Sequence, residues 1–303
     1  MDHTKGLTAA IWLNLFIVAI ELAAGFWANS SALVADALHN ASDVAALLLA
    51  LIALRLQSRP ASYRFTYGFA KAEALAGFLS ALLLLVATAA VATEAVGKLL
   101  APEQTDPKTM MAAGFGAFAI NALAAAILHQ AHSHHRHLAV EGAFWHMAAD
   151  AGFSLAVAIA GLLTLVFKTP IFDPILTLLI AAAILYQGAV LLKKSALQLL
   201  DANSAPASFE ELERQILGAD RRIREFHDLH IHHPSPSQSH ISFHLVLDDG
   251  SITLAEGEAI LARIKRRLKE LGFDHVVVQM ESGCAGKEPF CIARMRAEAR
   301  EGH

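Results

Sequence analysis

Residues 33–54 read LVADALHNASDVAALLLALIAL, a stretch apolar enough to cross a membrane that nevertheless carries Asp36, His39 and Asp43 in its first half. A charged side chain at the centre of a bilayer costs roughly 2.5–3.5 kcal/mol on insertion scales. A helix that carries three ionisable groups within eight residues needs a compensating partner inside the membrane. The stretch therefore predicts both a membrane helix and a site built on it.

The composition of the whole chain is that of a membrane protein. Of its 303 residues, 55% are hydrophobic and 17% are charged, whereas soluble domains average about 25% charged residues. The formal net charge of −4 argues against a basic surface for nucleic acid. We therefore expect an integral membrane protein in a lipid bilayer, with no nucleic-acid partner.

Six segments are long enough to cross the hydrocarbon core, which takes about 20 apolar residues. They are residues 7–28, 32–54, 72–99, 109–130, 138–167 and 171–193. Connections rich in Arg, Lys and His alternate with short, nearly neutral ones, so the positive-inside rule places both termini in the cytoplasm. Residues 1–200 are thus predicted to form an all-α transmembrane domain of six helices.

The composition becomes polar after Asp201, and no further span follows. Helical and alternating apolar patterns predict a helix at 208–218, strands at 226–233 and 240–247, a helix at 254–271 and a strand at 274–281. This αββαβ order is typical of a small ferredoxin-like α/β domain, which we assign to residues 201–283 and to the cytosol. The polar residues 284–303 are predicted to be a disordered tail.

Two pairs of chemically active residues share one spacing on two predicted spans. His39 and Asp43 are four residues apart, as are His146 and Asp150 in the fifth span, so each pair lies on one helical face. Two such faces in contact would present two imidazoles and two carboxylates, a set that can surround Zn²⁺ tetrahedrally. A divalent cation would also neutralise both carboxylates. The alternative is a structural hydrogen bond within each pair.

The donor types narrow the identity of the ion. Mixed imidazole and carboxylate ligands suit Zn²⁺, Co²⁺ or Fe²⁺, and zinc is the leading expectation. Asp36 lies one turn before His39 and is interpreted as a group outside the ligand set or at its entrance. Other polar residues within the spans, such as Glu21, are interpreted as contacts between helices.

The motifs that carry these residues identify a family. The second-span stretch ALVADALHNASD and the fifth-span stretch FWHMAADAGFSLAV resemble those of the cation diffusion facilitator family, and the similarity covers nearly the whole chain. The chain resembles a zinc-type bacterial member. The resemblance implies a homodimer in the bacterial cytoplasmic (inner) membrane that exports Zn²⁺ in exchange for protons by alternating access. It also implies a transport site of His39, Asp43, His146 and Asp150.

The same resemblance implies roles for residues near and within the cytosolic domain. His227 and His244 correspond to positions that bind metal at the interface between the two cytosolic domains, with Glu281 as a third ligand for a regulatory Zn²⁺. Glu256 and Glu258 are further candidates there. The remaining histidines of the domain are interpreted as solvated strand residues.

Lys71 and Asp201 correspond to a charge interlock found in some relatives where the third and sixth spans meet the cytosolic domain. The alternative is that Lys71 is a positive-inside anchor.

A histidine-rich stretch, HQAHSHHRH, joins the fourth and fifth spans at residues 129–137. It is interpreted as a flexible loop that collects metal ions near the entrance, and the alternative is a merely polar connection. Its histidines are His129, His132, His134, His135 and His137.

Other classes of function fit the sequence less well. Export of Cd²⁺, Co²⁺, Ni²⁺ or Fe²⁺ remains open. An intramembrane zinc protease would carry H-E-x-x-H and an open coordination position, and the sequence offers neither, so we expect no enzyme. A channel favours weak, multiple sites rather than a tight tetrahedral one. A metal sensor acting through the cytosolic domain would not account for ligands within the spans.

Overall fold

The computed structural model of the protein describes residues 3–134, 138–203, 207–235, 238–248 and 250–282, with side chains except at 3–13, 50, 127–134 and 138–143. The chain divides into two compact units. The first contains the described residues up to Arg55 together with Leu75–Ser195, and the second contains Leu56–Ala74 and the described residues from Ala196 onward.

Six long helices form the predicted membrane domain. They are α1 (His3–Ala28), α2 (Ser31–Gln57), α3 (Ala72–Leu100), α4 (Pro107–His134), α5 (Leu138–Phe167) and α6 (Phe172–Leu199). In the described part of the chain, five of them, α2 to α6, are long and apolar enough to cross a membrane, and α1 adds a shorter apolar helix at Asn14–Ala28. Large apolar side chains such as Trp27, Leu83 and Tyr186 are exposed, as expected of a surface that faces lipid.

The start of α2 is fixed by a buried carboxylate from α6. Asp173 is fully buried and accepts hydrogen bonds from the backbone amides of Ser31 and Ala32, at 3.0 and 3.2 Å, and from the hydroxyl of Ser30. An anion at a helix N-terminus satisfies free amide groups and complements the helix dipole. This contact sets the register of α2 two turns before His39.

Two glycines allow α4 and α5 to approach closely. A Cβ added at Gly114 would lie 2.7 Å from the backbone nitrogen of Ala158, and one added at Gly161 would lie 3.1 Å from that of Met111. Small residues at such contacts are characteristic of helix packing in membranes. This close contact with α4 helps to fix the position of α5, the helix that carries His146 and Asp150.

The C-terminal domain has the predicted αββαβ order. Its elements are α7 (Phe209–Leu217), β1 (Ile223–Ser235), β2 (Gln238–Leu247), α8 (Leu254–Glu270) and β3 (His275–Glu281). The sheet order is β1-β2-β3, with β1 antiparallel to β2 and β2 parallel to β3 across the α8 connection. The predicted fold class, a six-helix membrane domain followed by a small α/β domain, is confirmed.

One face of this sheet carries the core of the domain. Phe226 and Phe243 pack against apolar residues of the two helices, among them Ile216 of α7 and Ile264 of α8. Because alternate residues of a strand point to opposite faces, the intervening positions lie on the other face. Most of the histidines of the domain lie there.

Candidate metal centre

Four predicted ligands from α2 and α5 come together. His39 Nε2 lies 3.9 Å from Asp43 Oδ2 and 3.4 Å from Asp150 Oδ1. His146 Nε2 lies 3.4 Å from the same Asp43 oxygen and 3.6 Å from Asp150 Oδ2. Each helix therefore contributes one imidazole and one carboxylate, and each imidazole approaches the carboxylate of the other helix as well as its own.

The distances match the edges of a coordination polyhedron better than hydrogen bonds. Two donors held at about 2.0–2.1 Å from a tetrahedral zinc ion lie about 3.4 Å apart. An N–H···O hydrogen bond, by contrast, has a mode near 2.9–3.0 Å. Asp43 Oδ2 and Asp150 Oδ1 are buried and have no hydrogen-bond partner. Since buried carboxylate oxygens are costly when unpaired, a cation is the partner that this arrangement fits.

Three of the four ligands form the tightest group. Ligand atoms of His39, Asp43 and Asp150 all lie within 4.8 Å of one another. The imidazole of His146 approaches both carboxylates, but its ring centroid is 6.4 Å from that of His39. Closure of a complete tetrahedron brings these two rings nearer to each other.

The site is buried on one side and open on the other. Asp150 is only 2% exposed and His39 is 7% exposed. The side chains of Asp43 and His146 are 36% and 45% exposed. The buried pair, His39 and Asp150, can hold an ion away from water. The exposed pair, Asp43 and His146, leaves a path by which the ion can enter and leave the site.

A buried polar network continues from the site toward α1. Asp36 Oδ2 accepts a hydrogen bond of 2.9 Å from the hydroxyl of Ser154, one turn after Asp150 on α5, while its other oxygen is buried without a partner. Asn40 donates to Glu21 on α1 at 3.0 Å. The sequence singled out Asp36 and Glu21, but it gave no signal for Ser154 or Asn40, whose roles depend on the helix packing.

The C-terminal domain brings a second predicted set together. Glu281 lies 3.4 Å from His227 Nε2 and 3.0 Å from His244 Nδ1, and the three ligand atoms lie within 4.8 Å of one another. His227 Nδ1 and Glu281 Oε2 are buried without hydrogen-bond partners. The alternative ligand Glu256 instead accepts hydrogen bonds from the backbone amide and hydroxyl of Thr253 in the N-terminal cap of α8.

The other predicted residues lie as follows. Lys71 Nζ donates to Asp201 Oδ2 at 2.7 Å and to the carbonyl of Leu199 at 3.2 Å. His129, His132 and His134 belong to the end of α4, where side chains are not described, and His135 and His137 lie outside the described residues. The collecting role of the histidine loop therefore stays a prediction.

The sequence as a whole is similar to one family of known proteins. It matches the family model described as "Cation efflux transmembrane domain" over residues 7–200 and the model described as "Cation efflux protein, cytoplasmic domain" over residues 206–283. Together the two matches account for most of the chain.

Three relatives illustrate the similarity. A protein of Bacillus subtilis (strain 168) named "Cadmium, cobalt and zinc/H(+)-K(+) antiporter" is 28% identical over 307 residues, which cover 100% of this chain and 98% of the relative. The "Metal cation efflux system protein CzcD" of Cupriavidus metallidurans is 30% identical over 92% of this chain and 88% of its own. The "Zinc transporter ZitB" of Escherichia coli (strain K12) is 30% identical over 76% and 73%.

Proposed function

The chain belongs to the cation efflux (cation diffusion facilitator) family, and from this membership and the geometry of its membrane site we infer that it exports divalent metal cations. It is a transporter and not an enzyme. We propose Zn²⁺ as its main substrate and protons as the counter-ion. The observation that carries the proposal is the set of four donors that α2 and α5 hold around one point, with two buried carboxylate oxygens that lack partners.

The choice of zinc follows from the donors. Two imidazoles and two carboxylates that can complete a tetrahedron suit Zn²⁺ and are a poor match for Mg²⁺ or Ca²⁺, which take six or more oxygen ligands. The relative from Bacillus subtilis, whose name includes cadmium and cobalt, is 28% identical over the whole of this chain. Export of those ions is the second candidate, because both accept the same ligand types.

Proton coupling follows from the chemistry of imidazole. A neutral imidazole binds Zn²⁺ through the lone pair that a proton would otherwise occupy. When the site faces the cytosol, His39 and His146 are deprotonated by the incoming metal. When it faces a more acidic compartment, protons compete for the same nitrogen atoms and the ion is released. Because the side chain of His146 is the more exposed of the two, we expect it to exchange protons with solvent before His39 does.

The same proposal includes the setting of the transporter. We place it in a bacterial cytoplasmic membrane, as a homodimer with both termini in the cytoplasm. The alternation of basic and neutral connections supports this orientation. The match of the C-terminal domain to the family's cytoplasmic domain supports it as well. In this orientation His227, His244 and Glu281 face the cytosol, where a bound Zn²⁺ would act as a regulatory ligand.

The test is Zn²⁺ flux into proteoliposomes under an imposed pH gradient. Wild-type protein is compared with His39→Ala and Asp150→Ala, and His230→Ala serves as a matched control because it removes an exposed imidazole outside the membrane domain. We expect proton-driven uptake in the wild type and the control, and none in the two site variants. Zn²⁺ uptake that persists in both site variants, or that does not depend on the pH gradient, would contradict the proposal.

The regulatory site has its own test. His227→Ala or Glu281→Gln is expected to leave proton-driven uptake possible but to shift the Zn²⁺ concentration at which flux reaches half its maximum. An unchanged Zn²⁺ dependence in both variants would argue that this cluster is only structural.

A further inference from the structure

Three histidines lie in one row across the outer face of the C-terminal sheet. His232 on β1 is the register partner of His240 on β2, and His240 is in turn the partner of His275 on β3. Directly paired residues of neighbouring strands point to the same face. The row therefore places three imidazoles side by side on the face that the helices leave uncovered.

Each neighbouring pair of rings has the spacing of two ligands to a shared ion, and one ion held by all three would require the outer rings to turn inward. The ring centroids of His232 and His240 are 5.0 Å apart, and those of His240 and His275 are also 5.0 Å apart. Two imidazoles bound to one tetrahedral zinc ion at about 2.0–2.1 Å have centroids about 5 Å apart. The His227–His244 pair in the same domain has a separation of 5.2 Å.

The central histidine has a nitrogen in need of a partner. His240 Nδ1 is buried and makes no hydrogen bond. A buried polar atom without a hydrogen-bond partner is costly. A neutral imidazole nitrogen binds a metal ion through its lone pair, so a metal ion is a partner that would satisfy this atom.

We propose that His232, His240 and His275 form a metal-binding site for a divalent transition-metal ion such as Zn²⁺. His240 is its central ligand, and the two outer imidazoles turn toward it from the flanking strands. The three nitrogen ligands favour Zn²⁺, Co²⁺ or Ni²⁺ over oxygen-seeking Mg²⁺ and Ca²⁺. A fourth position is left for water.

This site is distinct from the cluster of His227, His244 and Glu281. His240 and His244 are four residues apart on β2, which at roughly 3.3 Å per residue separates them by about 13 Å. The two ions would not share a ligand.

The row also contacts the segment between α2 and α3. The ring of Tyr67 lies edge-on to His232 and close to His240, with centroids 5.5 and 6.2 Å away. Binding of an ion reorients both imidazoles and so changes this contact. This segment continues directly from α2, the helix that carries His39 and Asp43. A metal ion bound to the row would therefore contact a segment that is continuous in the chain with the membrane site.

Residue-resolved chemical modification tests the proposal on the full-length protein in detergent. Diethylpyrocarbonate acylates accessible imidazoles, and peptide mass spectrometry reports the modification of each histidine with and without Zn²⁺. We expect Zn²⁺ to protect His232, His240 and His275, and we expect Mg²⁺ to protect none of them. The proposal is overturned if Zn²⁺, at concentrations that protect His227 and His244, does not change the reactivity of His232, His240 and His275.

A variant separates binding from simple coverage of this face by another protomer. His275→Ala removes an exposed outer ligand, so folding is not at risk. We expect the Zn²⁺ concentration that half-protects His232 and His240 to rise on the order of tenfold or more, while His227 and His244 keep their protection. The control His230→Ala is expected to leave protection of the row intact. Protection that survives His275→Ala at unchanged Zn²⁺ concentrations overturns the three-histidine site. None of these readouts depends on transport.

Discussion

Ser154 has no metal-binding chemistry, but it is hydrogen-bonded to Asp36 beside the proposed membrane site. Its hydroxyl donates to Asp36 Oδ2 at 2.9 Å, and both groups are almost fully buried. Because Asp36 is one turn before His39 on α2 and Ser154 is one turn after Asp150 on α5, this hydrogen bond fixes the two ligand-bearing helices against each other.

Ser154→Ala is therefore expected to weaken Zn²⁺ binding about tenfold, in the range found for groups that orient metal ligands. It should not abolish transport, because all four ligands remain. The Zn²⁺ dependence of flux in proteoliposomes measures the effect. Ser154→Thr keeps the hydroxyl and is expected to restore much of the affinity, so equal losses in both variants would contradict a role for the hydrogen bond.

Asp220 links the start of β1 to α8 in the C-terminal domain. Its carboxylate accepts from the side chain and the backbone amide of Arg222, at 2.9 and 3.0 Å, and also pairs with Arg263. The hydrogen bonds from Arg222 hold the pKa of Asp220 well below its usual value. A carboxyl group whose pKa is lowered by folding stabilises the folded state above the unfolded pKa of about 3.9, and this stabilisation is lost as pH falls toward the folded pKa.

Asp220→Asn is accordingly expected to destabilise the domain by about 1 kcal/mol at neutral pH, with a difference from wild type that narrows below about pH 4. Hydrogen exchange of α8 amides in the full-length protein, corrected for intrinsic rates, measures it. The exposed Asp248→Asn is the matched control and should show no effect. A difference of the same size at acidic and neutral pH would contradict the charge-based explanation.

At the scale of elements, the approach of α4 to α5 depends on glycine. A Cβ at Gly114 would lie 2.7 Å from the backbone nitrogen of Ala158 and 2.9 Å from the carbonyl of Ser154, whereas a Cβ at Gly116, half a turn away, would meet nothing within 4 Å. Backbone atoms cannot rotate aside, so a methyl group at position 114 forces the helices apart.

Gly114→Ala is expected to cost about 1–3 kcal/mol, as overpacking does in other well-packed cores, and to reduce Zn²⁺ flux because α5 carries His146 and Asp150. Gly116→Ala is expected to leave both unchanged. The melting temperature in detergent and flux in proteoliposomes measure the two effects. Equal behaviour of the two variants would mean that α5 is not held by this contact.

The elements were predictable from sequence because their signals are local. Each predicted span overlaps one of α1 to α6, because a run of about 20 apolar residues can be recognised without knowledge of what packs against it. The pairs of His and Asp could be recognised for the same reason, from their spacing on one helix.

What the sequence could not show depends on neighbours in space. The carboxylate of Asp173 at the start of α2 joins residues more than a hundred positions apart. His240 was interpreted as a solvated strand residue, but its Nδ1 is buried, because strand register places it between His232 and His275. This register depends on the length of the β1–β2 turn and on the parallel pairing of β2 with β3. The spacing of residues within one strand gives no information about either.

At the scale of the whole molecule, the chain passes three times between the two compact units. The chain passes between them after Arg55, before Leu75 and after Ser195. The segment Leu56–Ala74, which includes Tyr67 and Lys71, belongs with the C-terminal domain rather than with the membrane helices that it joins. If the proposed sites on that domain bind a metal ion, this segment is the part of the domain that continues directly into α2 and α3.

Lys71 and Asp201 lie at two of these passages, one just before α3 and the other just after α6. Their side chains are 40% and 35% exposed, so an isolated ion pair of this kind contributes only about 0–1 kcal/mol. If the ion pair affects transport more than this, the reason would be that it holds the segment before α3 against the segment after α6. Lys71 also donates to the carbonyl of Leu199, which strengthens that connection.

A double-mutant cycle on flux separates these two roles. We expect Lys71→Met and Asp201→Asn each to reduce Zn²⁺ flux by more than the small stability of the pair explains, and the double variant to be no worse than either single one, because both remove the same contact. Asparagine at 201 accommodates the positive φ of 54° found there. Lys193→Met, which removes another exposed ammonium group, is the control and should transport normally. Losses that add in the double variant would show that the two residues act separately, with Lys71 as an anchor at the membrane surface.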